Sequence, residues 1–198
     1  MIVTIHQPLY FPYVGFFQKM QSAELFVVLD DVKFCKNEFY NRNKFINSQD
    51  QLEWFTVPVE KKANSKLIKD VYVAKDFGWK RKLMKQMKMN FNDDFTYIHQ
   101  SNKIIDIEMK SIEYCRNKLN IVTPIIMASE LNIEGTKSQR LVNICKTLNA
   151  TEYISGPNGR DYLQEDLFGD IRIRYFEPRT PDYYTTLVHL ENKQLWQM

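Results

Sequence analysis

Ile2-Val3-Thr4-Ile5 is a β-branched run at the start of the chain and reads as a buried strand. It stops in His6-Gln7-Pro8-Leu9-Tyr10-Phe11-Pro12-Tyr13, where two prolines four apart block a helix and stiffen a loop. A short helix is predicted from Val14 to about Ser22. Leu25-Phe26-Val27-Val28-Leu29 then has the unbroken apolarity of a fully buried strand and ends at Asp30-Asp31. Strand, loop, helix and strand within about 30 residues make a βαβ unit, which crosses over right-handed.

The rhythm changes after that. Residues 33–61 are rich in Asn, Gln and aromatics, and Leu52–Val59 alternates as a half-exposed strand does; Val71-Tyr72-Val73 is a further candidate. The expectation is an antiparallel excursion, around residues 33–73, on the edge of the main sheet. Two helices follow. Phe77–Asn90 spaces Leu83, Met84 and Met87 beside five cations, and Asn102–Leu119 carries Ile105, Met109, Ile112 and Cys115/Arg116 as one stripe. The last third returns to α/β alternation. Strands are expected at Pro124–Ala128, Thr151–Ile154 and Ile171–Phe176, with helices at Lys137–Leu148 and Asp161–Phe168. Leu141, Ile144, Cys145 and Leu148 face inward. The fold class is α/β: a mostly parallel, helix-flanked, Rossmann-like three-layer sheet in a single domain, residues 1–198.

Composition narrows the partners. With 27 Lys+Arg against 24 Asp+Glu, the net charge of +3 is too small to expect nucleic-acid binding from bulk electrostatics. Hydrophobic residues at 44% support a packed core, and 198 residues can bury about 70% of the unfolded surface without staples. Cys35, Cys115 and Cys145 form no CxxC pair, so neither a disulfide framework nor a zinc ribbon is expected, and a reducing cytoplasm fits. The amino terminus lacks signal-peptide features, and no apolar run reaches transmembrane length.

Open α/β sheets bind ligands beyond the carboxyl ends of their strands. Three loops qualify here: His6–Tyr13, Asp30–Asn43 and Ser155–Arg160. Parallel neighbouring strands would bring them to one crevice. A strand-end imidazole can accept a proton near pH 7, so His6 is the candidate base, with a loop-tying hydrogen bond as its structural alternative. Gln7, Tyr10 and Tyr13 share its loop. Asp30 and Asp31 can orient a base, hold a ribose hydroxyl or cap a turn, and adjacent strand residues point opposite ways. Arg42, between Asn41 and Asn43, suits bidentate contact with phosphate or carboxylate, although an exposed hairpin tip would carry the same residues. In the turn Ser155-Gly156-Pro157-Asn158-Gly159-Arg160, backbone N–H groups can cradle a phosphate if a helix starts near Asp161. Gly135-Thr136-Lys137-Ser138 is similarly phosphate-like, with Thr136 as a helix N-cap the competing role. The basic segment Trp79–Lys88 reads as a solvated face, and His99 and His189 as surface residues. Cys145 reads as core, and Cys35, beside Lys36, is the only thiol in a reactive setting. No metal-ligand set is apparent.

Several of these segments together resemble one family. The matching residues are His6-Gln7-Pro8-x-Tyr10-Phe11-Pro12-Tyr13-x-Gly15-Phe16-Phe17, Leu25-Phe26-Val27-x-Leu29-Asp30-Asp31-Val32, Asn41-Arg42-Asn43-Lys44, Trp54-x-Thr56-Val57-Pro58, Gly135-Thr136-Lys137-Ser138-x-Arg140-Leu141 and Tyr153-Ile154-Ser155-Gly156-Pro157-x-Gly159-x-Asp161-Tyr162-Leu163. They are similar to the WbqC-like protein family, over nearly the whole chain. Members often continue past the point where Gln194–Met198 closes this sequence. The resemblance implies a place in bacterial O-antigen and surface-polysaccharide clusters, where nucleotide-linked amino sugars are made and decorated. The leading expectation is therefore a transferase placing an acyl group on such a sugar's amine. In it His6 is the base, Asp30 or Asp31 orients it, Tyr10 and Tyr13 stack on the nucleotide, and Arg42, Asn43 and the Ser155–Gly159 turn grip the diphosphate. No tightly bound cofactor is expected, and the donor would be of acyl-CoA or formyl-folate type. Partners are a nucleotide-sugar substrate and a second copy of the chain in a homodimer. The alternatives are nucleotidyl or phosphoryl transfer, with a non-catalytic sugar-nucleotide-binding or scaffold protein as the third.

Overall fold

The computed structural model describes residues 1–76, 78–179 and 182–190. The expected helix start at Phe77 and the terminal stretch Gln194–Met198 lie outside the described residues. Described residues group into two compact units, each discontinuous in sequence: 1–7, 15–30 and 121–179, and then 8–14, 31–76, 78–120 and 182–190.

The first unit holds a five-stranded, all-parallel sheet. Its strands are β1 (Ile2–His6), β2 (Leu25–Val28), β5 (Ile125–Met127), β6 (Glu152–Ser155) and β7 (Arg172–Tyr175), in the order β5-β2-β1-β6-β7. Strand alternation sorts their side chains onto two faces. Val3, Ile5, Val27 and Tyr153 pack against Leu141, Val142, Ile144 and Cys145 of helix α4 (Lys137–Thr147). The opposite face carries Thr4, Phe26 and Val28, and Phe26 meets Phe16 of helix α1 (Val14–Gln21) with ring centroids 5.1 Å apart. Helices thus cover both faces, the three-layer arrangement. The connections run outward from β1 through β2 to β5 on one side and through β6 to β7 on the other. Strand order therefore reverses between β1 and β6, which places the topological switch point at the carboxyl ends of those two strands.

The second unit is built on aromatic packing. β3 (Arg42–Ile46) and β4 (Leu52–Thr56) form an antiparallel pair. They turn Asn43, Phe45 and Phe55 inward, where Tyr10, Phe11 and Phe95 are also buried. Helix α2 (Gly78–Phe91) contributes Leu83 and Met87, and helix α3 (Ile104–Lys118) contributes Ile104, Ile107 and Ile112. A fully buried side chain of this size contributes about 1.5–3 kcal/mol, so the aromatic cluster is a large favourable contribution to the unit's stability.

Three expectations need correction. The antiparallel excursion does form, but as its own two-stranded sheet rather than on the edge of the parallel one, and Val71–Val73 makes only isolated bridges to Val59 and Lys103. No α-helix spans Asp161–Phe168. The segment makes two 3₁₀ turns, Pro157–Asp161 and Glu165–Phe168, the second ended by Gly169 at φ 57°. The inward stripe of α3 is broader than expected and includes Glu108 and Ser111 beside the isoleucines, because both groups are buried. No helix among the described residues is long and apolar enough to cross a membrane.

Candidate functional site

His6 ends the central strand on the face covered by α1, with its ring edge-on to Phe16 at 5.0 Å. Its Nδ1 lies 2.8 Å from the Gln7 carbonyl. A carbonyl only accepts, so Nδ1 carries the proton and Nε2 keeps its lone pair. Burial, reinforced by the positive charge of Lys19, pushes the His6 pKa down to about 3, against the Gln7 hydrogen bond that favours the charged ring. At neutral pH His6 is a fixed, neutral acceptor.

Lys19 was invisible to the sequence reading. It sits within Phe16-Phe17-Gln18-Lys19-Met20, an α1 stretch that is buried on every side, and it is 4% exposed. Its Nζ donates to the Ile5 carbonyl at 3.3 Å, and no carboxylate pairs with it among the described residues. Burial pushes its pKa down to about 7. The one available signal was a cation set between Phe16-Phe17 and Met20 on a short helix.

Asp30, 3% exposed, follows β2. Its carboxylate accepts from the Ser129 N–H at 3.0 Å and from the Ser129 hydroxyl at 2.6 Å, tying the exit of β2 to that of β5. Ser129 was not anticipated either. At β6, Ser155 is fully buried beneath the following turn, and a Cβ on Gly159 would stand 2.0 Å from its Oγ. Gly156 is half-buried and Asn158 exposed. The Gly159 N–H donates to the Gly156 carbonyl at 3.0 Å, closing a 3₁₀ turn instead of opening an α-helix. That removes the helix dipole from the expected phosphate cradle and commits one of its donors. Lys137 begins α4, exposed and at φ 51°; Thr136 holds the N-cap position, but its side chain makes no capping bond.

The first unit therefore brings His6, Gln7, Asp30, Ser155, Gly156, Asn158 and Gly159 to the carboxyl edge of one sheet. A surface depression of about 460 Å³, bordered by Asn149, Ala150, Gly169 and Ile171, lies at the opposite, amino edge of β6 and β7.

Tyr10, Tyr13, Asp31, Arg42 and Asn43 belong to the second unit. Tyr10 is fully buried, and its hydroxyl donates to His99 Nε2 at 2.5 Å while His99 Nδ1 donates to the Phe95 carbonyl at 2.8 Å. His99 is thus a core residue, not a surface one: burial lowers its pKa to about 4 and keeps it a neutral relay between phenol and carbonyl. Tyr13 is half-buried with its ring 5.0 Å from that of Tyr183, and burial first, then Tyr183, raises its pKa to about 12. The Arg42 guanidinium lies 4.3 Å over Trp54 and donates to the Asn37 carbonyl. Asn43 is fully buried; its amide donates to the Phe11 carbonyl at 2.7 Å and to that of Tyr10 at 3.3 Å. Asp31 is half-buried.

No solved structure matches this chain. Among curated proteins it is similar to the uncharacterized protein Rv1507c of Mycobacterium tuberculosis (strain ATCC 25618 / H37Rv), 26% identical over 208 residues covering 98% of this chain and 86% of that one. The profile of the WbqC-like protein family matches residues 7–188, from the residue after His6 through to the described carboxyl-terminal residues. The chain belongs to the WbqC-like protein family.

Proposed function

We propose that this protein is a cytoplasmic enzyme of bacterial surface-polysaccharide assembly that acylates the amine of a nucleotide-linked amino sugar at the carboxyl edge of the parallel sheet. The observation that carries this reading is His6: a neutral imidazole at the switch point, with Nδ1 fixed by the Gln7 carbonyl and Nε2 left as acceptor. The sugar nitrogen attacks the acyl carbonyl, the new C–N bond replaces the donor's bond to its leaving group, and the nitrogen's proton passes to His6 Nε2 and on to that leaving group. The free ring holds a proton weakly, so the negative diphosphate of the substrate supplies the charge that stabilises the imidazolium.

The test is a screen of UDP-, dTDP- and GDP-linked amino sugars with acetyl-CoA and formyl-folate donors, read by mass increase of the sugar. His6→Asn is expected to lower kcat by about 10²–10⁴. Full turnover by that variant would remove the proposed base. A second reading, a sugar-nucleotide-binding module without turnover, is supported by the full engagement of Asp30 with Ser129, which leaves His6 with no orienting carboxylate from this residue. Saturable binding with no product from any donor would select it.

A further inference from the structure

Lys19 is the unexplained charge of the first unit. Taking an ammonium out of water costs several kcal/mol unless a counter-charge compensates. Here the compensation is one carbonyl, that of Ile5. The neighbouring elements offer no free carboxylate among their described residues. On β1 the titratable group is His6, which carries no negative charge. Beside β2, Glu24 accepts from the Ile2 N–H at 2.5 Å and pairs with the terminal amine, and Asp30 is held by Ser129. On β6, Glu152 is bound by Arg174 at 2.5 Å and faces Arg172 at 3.8 Å. The amine nevertheless sits against the last peptide of the central strand, one residue before His6, at the edge where this sheet topology receives ligands.

We propose that Lys19 supplies the missing half of an ion pair: the site binds the phosphate of a nucleoside diphosphate, and the Lys19 amine takes up a proton as that anion arrives. This rests on the reading that the carboxyl edge is the ligand site, but not on acyl transfer. The free protein holds Lys19 largely neutral just above pH 7, and an adjacent phosphate returns the amine to its ordinary charged state. Binding is then linked to proton capture, and affinity falls as the medium becomes alkaline. On binding alone His6 stays neutral, because its pKa of about 3 lies far below this range, and it accepts a hydrogen bond from the ligand.

Calorimetric titration of the full chain with UDP and dTDP at pH 8, in buffers of different ionisation enthalpy, tests this. Proton uptake of about 0.9 per ligand is expected for a free pKa near 7, and affinity should weaken about tenfold per pH unit between pH 8 and 10. Lys19→Met replaces a buried cation by an apolar chain of similar length, so it should fold; it should bind more weakly, with no uptake and no pH slope. Wild-type binding with uptake below about 0.2, or a Lys19→Met variant that keeps the uptake, would overturn the proposal while leaving the site in place. If UDP, dTDP and inorganic pyrophosphate all fail to bind the wild type, the reading of the carboxyl edge as an anion site fails, and the Lys19 assignment with it.

Discussion

Phe11 adopts a left-handed backbone conformation, φ 43°, which costs a bulky residue on the order of 1–3 kcal/mol. Three side chains hold it there. Its N–H donates to Ser111 Oγ at 2.9 Å, and its carbonyl accepts from Asn43 Nδ2 at 2.7 Å and from Thr185 Oγ1 at 2.9 Å. The Asn43 side chain also accepts from the Lys44 N–H at 2.7 Å, so this buried amide leaves few of its valences unused. Asn43→Ala is expected to lower stability by about 2–3 kcal/mol, because it strands the Tyr10 carbonyl and the Lys44 N–H and takes one of two donors from the Phe11 carbonyl, and urea unfolding will show this as a lowered midpoint with an unchanged slope. The cluster Asn41-Arg42-Asn43 was legible in the sequence as a concentration of hydrogen-bonding groups. Its partner was not, since the Phe11 carbonyl lies 32 residues away and nothing local encodes their meeting.

At the scale of elements, the β6 turn depends on a glycine for space. Gly159 covers Ser155 so closely that an added Cβ would stand 2.0 Å from Oγ and 3.1 Å from both Ser155 Cβ and Tyr175. Gly159→Ala should therefore cost about 1–3 kcal/mol by overpacking. Combining it with Ser155→Ala removes the nearest atom, and the pair should recover part of the loss in a double-mutant cycle on thermal midpoints. The sequence marked this stretch as a turn through its Gly and Pro, and it is one. The expected α-helix after it is absent because the chain closes a five-residue 3₁₀ turn there instead. Element α1 shows the opposite failure. Its helical character was readable, but the sequence did not single out Lys19 within it, and burial on all sides is set by what packs around the helix.

For the molecule as a whole, burial of ionisable groups sets the acid limb of stability. His6 and His99 have folded pKa values of about 3 and 4, below the ordinary 6.5. Near pH 5 the unfolded chain therefore binds almost two more protons than the folded one, and their stabilisation is present above 6.5 and lost as pH falls. Glu108 works against them. It is fully buried with neither carboxyl oxygen hydrogen-bonded, so burial raises its pKa and the folded state keeps its proton above 4.5. Glu108 offsets part of the histidine effect, so unfolding free energy should fall as pH drops from 6 to 4.5, by less than the roughly 2.7 kcal/mol per pH unit that two histidines alone would give. Imidazole NMR signals of His6 and His99 should stay in the neutral form from pH 8 to 5; protonation of either ring near 6.5 would contradict the buried assignment.

The parallel sheet, its α/β order and most strand positions followed from the sequence, because a strand buried on both faces must be a continuous apolar run and a crossover helix must show a 3.6-residue stripe. The candidate edge was also legible, since strand ends in such sheets are marked by the residues that stop each run: His6, Asp30 and Ser155 do so here. What those residues do was decided only in three dimensions. Asp30 became a clamp on Ser129, Tyr10 a core phenol bonded to His99, and Lys19 a cation without a carboxylate partner among the described residues. Desolvation and hydrogen bonding depend on neighbours that are distant in sequence, so residue type and spacing place a group at an edge but do not set its charge, its partner or its exposure.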